Sequence, residues 1–317
     1  MINDMKENIL LPGAGGFAAI NAVKSLRKID FNGKIITTDS NPLSAGFYLS
    51  DFYYVLPRIN DINFINRAYE VLQREKINLI LPTSGFDIIP YSKHKNELEK
   101  MGVSCFFSDY ETIELCDNKF KFYENIKNDF PTPKYSMSYK EVKEFPVFVK
   151  PVNGKGSRNI YLCNSKSELE YVVNKYPEML VCEYLPGREY TIDALSDMNG
   201  IPICAIPRER IETKDGISFK GKVEKNLQMQ KLCMSLAQYI GLKGPSCMQM
   251  KQDNNGEFKF IEVNPRMGGG TIMATLAGVN IPHLILKLHN KIEIQPAEVV
   301  FNEITVLRYY EEIVIRN

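Results

Sequence analysis

The sequence has little net charge and few of the residues that build zinc sites or disulfide frameworks. Its 317 residues include 39 Lys and Arg against 38 Asp and Glu, so the formal net charge is +1. This balance gives no reason to expect nucleic acid or an anionic membrane surface as a partner. The seven cysteines and three histidines are dispersed, without a Cys-x-x-Cys pair. We therefore expect them to be structural rather than disulfide-bonded or zinc-binding.

Long hydrophobic runs are also absent. No apolar stretch approaches the ~20 residues that a membrane-spanning helix needs. Residues 1–8 are polar and lead directly into a strand pattern, without the hydrophobic region of a signal peptide. We therefore expect a cytoplasmic protein without a membrane partner, and its length allows two or three domains.

Strand and helix patterns alternate along the first hundred residues. Short apolar strands are predicted at residues 8–11, 34–38, 53–56, 79–81 and 104–107. The alternation predicts a parallel sheet with helices on both faces. Later in the chain, Asn199-Gly200 and Asn255-Gly256 are favoured hairpin turns between strand patterns. The fold class is therefore an α/β unit followed by an α+β unit.

The returning strand of the second hairpin ends in residues 262–266 (EVNPR). Alternation along a strand places Glu262 and Asn264 on one face, and Gln249 of the partner strand could point to that same face. A carboxylate and two amide oxygens form a hard-oxygen set that suits Mg²⁺. Arg266 emerges where phosphate charge would need neutralising. The segment is a candidate metal and phosphate site.

Two further segments could contact a nucleotide. Lys150 ends a hydrophobic strand, and a basic glycine-rich loop follows it at residues 153–158 (NGKGSR). Glycines allow backbone N–H groups to approach phosphate oxygens, although this loop is not a Walker A motif. A second strand ends at residues 181–185 (VCEYL). Its backbone could meet an adenine edge, and a carboxylate beyond it could hold a ribose.

Taken in order, four stretches resemble the ATP-grasp superfamily, and especially its carbamoyl-phosphate-synthase-like branch. They are residues 117–119 (DNK), 148–151 (FVKP) with the glycine loop, 183–190 (EYLPGREY), and Gln249 with residues 262–266. The resemblance implies a Rossmann-like pre-ATP-grasp domain and an ATP-grasp domain in two lobes. The implied ranges are 1–113 for the first domain, 114–181 for the small lobe, and 182–317 for the large lobe with the metal site.

The resemblance also implies roles for individual residues. Those implied to bind ATP are Lys119, Lys150, Gly154, Gly156, Ser157, Glu183, Tyr184, Leu185 and Glu189. Those implied to bind Mg²⁺, or Mn²⁺ in its place, are Glu262, Asn264 and Gln249. Gln249 stands where the family commonly has a second metal carboxylate, so one metal position is well supported. The residues implied to act on the transferred phosphoryl group are Arg266 and Lys150.

Members of the superfamily generally phosphorylate a carboxylate to an acyl phosphate, which an amine or other nucleophile attacks. The resemblance therefore implies an ADP-forming ligase that makes C–N bonds from small-molecule carboxylate and amine substrates, and a homodimer is compatible with it. The chain ends soon after the metal hairpin, so the complete carbamoyl phosphate synthase reaction is not expected of it alone. Arg208, Arg210 and Lys220 could bind a substrate carboxylate, or form a plain basic surface.

Two alternatives stay open. Residues 13–18 (GAGGFA) fit Gly-x-Gly-x-x-Ala after a strand, and Asp39 ends the second strand, as in NAD(P)-binding oxidoreductases. That interpretation leaves the C-terminal motifs unexplained. The other alternative is a non-catalytic ATP-binding sensor with a degenerate ATP-grasp fold. The retained phosphate lysines, together with Glu262 and Arg266, argue against it.

Overall fold

The computed structural model describes residues 6–156 and 158–315. Its first part alternates strands and helices. These elements are β1 (Asn8–Pro12), α1 (Phe17–Arg27), β2 (Lys34–Asp39), β3 (Phe52–Val55), α2 (Phe64–Arg74), β4 (Leu79–Ile80), α3 (Ile88–Lys93), α4 (Lys95–Lys100), β5 (Ser104–Cys105) and α5 (Tyr110–Asp117). The strands form one parallel sheet in the order β3-β2-β1-β4-β5.

Alternate residues of β1 show why helices cover both faces of this sheet. Ile9 and Leu11 are buried in one core together with apolar residues of α1. Leu10, between them, is buried in a second core with residues of α2, α3 and α4. A strand that is buried on both faces reads as a continuous apolar run, which is the pattern of a parallel sheet. The predicted α/β unit is confirmed.

A four-stranded antiparallel sheet follows, in the order β6-β9-β7-β8. Its elements are α6 (Lys119–Ile126), β6 (Tyr135–Ser136), β7 (Val147–Pro151), β8 (Tyr161–Cys163), α7 (Lys166–Lys175) and β9 (Met179–Glu183). Asn118 caps α6, because its side chain accepts a hydrogen bond from the Lys121 amide at 2.9 Å. This cap fixes the start of α6 and therefore the position of Lys119, which is its first residue.

A larger antiparallel sheet has the order β14-β13-β10-β11-β12-β15. Its elements are β10 (Glu189–Ser196), β11 (Pro202–Lys214), β12 (Ile217–Val223), α8 (Leu227–Tyr239), β13 (Gly244–Gln252), β14 (Phe258–Asn264), α9 (Ile272–Ala277), α10 (Ile281–His289) and β15 (Ile304–Leu307). Gly200 and Gly256 both have φ of +82°, as their hairpin turns require. The two predicted hairpins are β10–β11 and β13–β14.

Strands β12 and β15 are not among the elements predicted from the sequence. Asp215 and Gly216, with φ of +50° and +73°, form the tight turn between β11 and β12. Asp-Gly is a favoured hairpin dipeptide, so a local signal was present. By contrast, β15 returns from near the C-terminus to pair with β12, and no local pattern specifies such a pairing.

One hydrophobic core joins the first and third sheets. Ile9 and Leu79 share it with Leu195, Ile206 and residues of α9 and α10. The predicted domain limits at residues 113–114 and 181–182 fall inside α5 and inside β9, and they stay a prediction.

All seven cysteines are free and buried. No helix in residues 6–156 and 158–315 has the length and apolar character needed to cross a membrane.

Candidate functional site

A large cleft is lined by residues from all three sheets. Its volume is about 1300 Å³. The motif residues that line it are Lys119, Lys150, Gly154, Gly156, Glu183, Tyr184, Leu185, Glu189, Gln249, Glu262 and Arg266. Residues from distant parts of the sequence therefore face one cavity, as a small-molecule site requires. Ser157 lies outside the described residues.

One row of side chains crosses the largest sheet on the face toward this cleft. Glu262 pairs with Gln249, Gln249 with Thr191, and Thr191 with Arg208, on four adjacent strands. Directly opposed residues of antiparallel strands project from the same face. The Asn264 side chain donates a hydrogen bond to Glu262, while Val263 between them is buried on the opposite face. The predicted shared face of Glu262, Asn264 and Gln249 is observed.

Two buried lysines lie on one side of the cleft. Lys150 on β7 donates from Nζ to the Tyr123 hydroxyl at 2.9 Å and to the Ile261 carbonyl at 3.0 Å. Lys119, at the start of α6, donates to the Gly154 carbonyl at 2.9 Å. Burial lowers the pKa of Lys119, an effect that Glu262 opposes and Lys150 reinforces. These charges are costly in the free protein and favour an anionic ligand.

The basic glycine loop contacts the N-terminal domain through Lys155. Its ammonium donates to the Gly85 carbonyl and forms an ion pair with Asp117 at 2.9 Å. Gly156 has φ of +69°, a conformation that glycine adopts without steric cost. The loop therefore lines the cleft and is attached to the N-terminal domain through Lys155.

The predicted adenine and ribose residues lie together, but both of their carboxylates already have partners. Glu183 accepts hydrogen bonds from the Lys134 amide and from Lys259 Nζ, each at 2.9 Å. Glu189 forms an ion pair with Arg210. The Glu183 side chain is thus held by a lysine at the strand end.

Arg266 connects the strand end that carries Glu262 and Asn264 to the N-terminal domain. Its guanidinium donates to the Met267 carbonyl at 2.8 Å and to Asn264 Oδ1 at 3.1 Å. A Cβ atom on Gly85 would approach its Nε to 3.3 Å. The guanidinium therefore lies between two structural units, facing the cavity that the lysines also face.

The N-terminal glycine turn does not present a free phosphate cradle. Asp39 Oδ2 accepts a hydrogen bond from the Gly15 amide at 2.8 Å. In a dinucleotide-binding fold, amides of this turn approach the pyrophosphate, and the acidic residue meets the ribose instead. A carboxylate on the Gly15 amide would repel a phosphate there, which argues against the NAD(P) alternative.

Comparisons with known proteins agree with this arrangement. Residues 9–106 match the family described as "PylC-like, N-terminal domain". Residues 175–312 match "ATP-grasp in the biosynthetic pathway with Ter operon". The chain belongs to the ATP-grasp superfamily. Within it, the similarity lies with the carbamoyl-phosphate-synthase-like branch, as the sequence motifs predict.

Individual relatives of this ATP-grasp protein are distant. The carbamoyl phosphate synthase large chain of Clostridium botulinum (strain Kyoto) is 27% identical over 277 residues, covering 79% of this chain and 25% of that protein. The D-aspartate ligase of Enterococcus faecium is 25% identical over 232 residues, covering 61% of this chain and 54% of the ligase. The chain thus spans about a quarter of the length of the carbamoyl phosphate synthases it matches.

Solved structures show the same fold at low identity. Biotin carboxylase of Campylobacter jejuni superposes with a TM-score of 0.72 at 16% identity, covering 94% of this chain and 74% of that one. The biotin carboxylase domain of a Hydrogenobacter thermophilus 2-oxoglutarate carboxylase, a dimer in complex with MgADP, gives 0.72 at 18% identity, covering 95% and 73%. The predicted fold class is confirmed.

ATP-grasp enzymes use ATP with Mg²⁺, and the residues on the shared face fit such an ion. Glu262 is the one carboxylate among them. The amide oxygen of Gln249 accepts from Arg210 at 3.3 Å, and that of Asn264 accepts from Arg266. Across the described parts of the chain, no group of three or more His, Cys, Asp or Glu could hold a metal by itself. This donor set suits an ion that brings phosphate oxygens with it.

Several residues that line the cleft or contact its lining carried no signal in the sequence. Tyr123 bridges Lys150 and the Ile261 carbonyl, and burial raises its pKa, which keeps its hydroxyl protonated. Lys259 on β14 of the large sheet forms an ion pair with Glu183 on β9 of the four-stranded sheet. Thr191 completes the row between Gln249 and Arg208. Their roles depend on strand register, which a single sequence does not display.

Proposed function

We propose that this chain is an ATP- and Mg²⁺-dependent, ADP-forming ligase that joins a small-molecule carboxylate to an amine. The observation that carries the proposal is the convergence of Lys119, Lys150, Arg266 and Glu262 on one cavity. The three cationic side chains, beside one carboxylate proposed to bind the metal, can neutralise the negative charge of a triphosphate and of the substrate carboxylate that approaches it. A homodimer and a cytoplasmic location stay predictions of the sequence.

In the proposed reaction, Lys119 and Lys150 hold the phosphates while Arg266 neutralises charge on the transferred phosphoryl group. Glu262, Asn264 and Gln249 would hold Mg²⁺, which supplies further charge neutralisation between the phosphates. A carboxylate oxygen of the substrate attacks the γ-phosphorus, and the bond to the leaving ADP oxygen breaks. An amine nitrogen then attacks the acyl carbon, phosphate leaves, and the nitrogen loses a proton. Positioning supplies much of the rate.

Lys119 and Lys150 support phosphate binding beside β7. We expect the backbone at the end of β9 to contact the base of the nucleotide. Leu185 is buried in the cleft wall, and Glu189 lies beyond it on β10. The Glu183–Lys259 pair fixes the strand end next to them. We propose that Tyr184 and Leu185 contact adenine. We also propose that Glu189 breaks its ion pair with Arg210 and binds the ribose hydroxyls.

The test is ADP release with a panel of carboxylates and amines, with mass spectrometry of the products. The Glu262→Gln variant should lose about 100- to 1000-fold of the Mg²⁺-dependent rate, because one charged contact to the metal is removed. Glu257→Gln, at the exposed end of the same hairpin, is the matched control and should keep the rate.

Full Mg²⁺-dependent activity in Glu262→Gln would contradict the metal assignment. MgATP binding without ADP release for any pair would contradict the ligase proposal and favour the sensor alternative.

A further inference from the structure

Arg208 is a fully buried cation at the other end of the row that begins at Glu262. It is 1% exposed and lines the cleft. Its Nη1 donates to Ser218 Oγ at 2.5 Å, and its Nη2 lies 3.4 Å from Asp193 Oδ2. Its Nε is buried and lacks a hydrogen-bond partner among residues 6–156 and 158–315.

A second guanidinium, that of Arg308, lies beside this one. Its Nη2 donates to the Gly269 carbonyl at 2.6 Å, and the group lies 5.5 Å from the Phe17 ring centre. Gly269 and Phe17 both line the cleft. Within the described structure, the buried Nη1 of Arg308 also has no partner. Burial, and then repulsion from Arg208, lowers the pKa of Arg308 to about 10.

Asp193 cannot balance both guanidinium groups. Its Oδ2 faces Arg208, and its Oδ1 accepts a hydrogen bond from the Thr271 hydroxyl at 2.9 Å. Two cations and one carboxylate leave one positive charge in a buried place, which is unfavourable unless an anion compensates it. Guanidinium groups present paired N–H donors that match the two oxygens of a carboxylate.

The backbone beside Arg208 is shaped to admit its guanidinium group. A Cβ atom on Gly270 would lie 2.3 Å from Arg208 Nη2, so any side chain there would displace the guanidinium. A Cβ atom on Gly269 would lie 3.6 Å from Phe17 Cβ. This part of the cleft lining therefore lies close to the N-terminal glycine turn. The two arginines thus lie where the N-terminal domain meets the large sheet.

The anion bound here differs from the group that is phosphorylated. Asp193 pairs with Cys247, which pairs with Asn264, so Asp193 lies on the same face of the sheet as Asn264 but two strands away from it. At the usual strand spacing this is about 10 Å. A carboxylate that attacks the γ-phosphate must lie beside Arg266 and Glu262 instead.

We propose that Arg208 and Arg308 bind an anchoring carboxylate of a small substrate, one that is not itself phosphorylated. This inference rests on the proposed ligase function and narrows its substrates. Either the amine substrate is an amino acid with a free carboxylate, or the activated substrate is a dicarboxylic acid. Both share the same chemistry at the two guanidinium groups.

The probes are aspartate, glutamate and succinate, each compared with its diamide, in which neither carboxylate is left. Thermal unfolding of the whole chain is measured with MgADP alone and with MgADP plus each probe. At least one acid should raise the unfolding temperature more than its amide does. An effect of amino acids alone identifies an amine substrate, whereas an effect of succinate identifies a dicarboxylic acid.

Arg308→Met should weaken binding of that acid by about 10- to 100-fold, because a charge-assisted contact is lost. Arg308→Lys should recover part of the affinity, which a purely structural role would not explain. Arg67→Met, on the exposed face of α2, is the matched control and should behave as the wild type. All three variants should keep the response to MgADP.

Equal stabilisation by acids and amides, no stabilisation by any acid, or unchanged acid binding in Arg308→Met would each overturn the inference. A wild-type chain that fails to respond to MgADP contradicts the proposed ligase function instead. Repeating the acid titrations without nucleotide separates the two failures, because the arginine subsite does not include Lys119 or Lys150.

Discussion

Lys119 and Lys150 lie at positions where each residue is only 6% exposed. Lys150 rests on a tyrosine hydroxyl and a carbonyl, and Lys119 on the carbonyl of Gly154. These neutral acceptors compensate the two cations only partly. Phosphate oxygens would replace them with charge-assisted hydrogen bonds, which are about twice as strong. The free site is therefore poised for an anion.

Nucleotide affinity should fall as pH rises, because Lys119 loses its proton at a lower pH than an ordinary lysine. Above its lowered pKa, each pH unit should weaken MgADP binding by up to about tenfold. The stability of the free protein should move the other way: the unfolded chain binds more protons there, so stability rises toward the ordinary lysine pKa of 10.5. Calorimetric titration with MgADP from neutral to alkaline pH measures the first effect.

The Lys119→Arg variant is the control for this pH effect, since guanidinium keeps its charge throughout the range. Its affinity should depend less on pH than that of the wild type. Identical pH profiles for the two proteins would show that another group controls binding.

The described part of the glycine loop, residues 153–156 and 158, contacts the segment that carries Lys119: Asn153 pairs with Asn118, and the Gly154 carbonyl accepts a hydrogen bond from Lys119. Within its described part, Lys155 links it to Asp117 and to the Gly85 carbonyl, so one side chain joins the small lobe to the N-terminal domain. Asp117 itself ends α5, immediately before the cap of α6. The position of the loop therefore depends on the same chain segment that places Lys119.

Lys155→Ala should release the loop and raise the KM for ATP by about 3- to 10-fold, the loss expected for a partly buried ion pair and hydrogen bond. Proteolysis near Ile160 should also become faster, because the loop opens more often. Thermolysin is the suitable protease, since the substitution removes a trypsin site.

Lys166→Ala removes an exposed pair with Glu170 on α7 in the same lobe and serves as the control. Proteolysis as slow in Lys155→Ala as in this control would mean that Lys155 does not hold the loop.

The sequence predicted elements whose signals are local. The apolar runs of β1 and β4 and the turns at Gly200 and Gly256 all depend on neighbouring residues. The face shared by Glu262 and Asn264 followed from alternation along a single strand. Arg308 was beyond prediction, because its place beside Arg208 depends on β15 pairing with β12 across the chain. Asp215-Gly216 was a usable signal that was missed.

At the scale of the molecule, the N-terminal sheet and the large sheet, which both line the cleft, share one hydrophobic core. Apolar residues of β1 and β4 lie in one cluster with Leu195 and Ile206 of the large sheet and with α10. The small lobe has a core of its own that includes Val149 and Leu169, whereas Leu180 and Cys182 of β9 share a further core with the large sheet. The N-terminal domain and the large lobe should therefore unfold together, while β8 and α7, whose buried residues lie in the small-lobe core, open independently.

Leu195→Ala should cost about 2–5 kcal/mol, because it leaves a cavity in the shared core, where Leu195 is 1% exposed. Hydrogen exchange followed by mass spectrometry should show faster opening of both β1 and β10, with β8 unchanged, since β8 packs on the separate core. Leu162→Ala, at a 46% exposed position of β8, should change stability by no more than about 0.5 kcal/mol. Faster exchange in β10 alone would show that the N-terminal sheet is stable without the large lobe, and that the cleft joins two independently folded units.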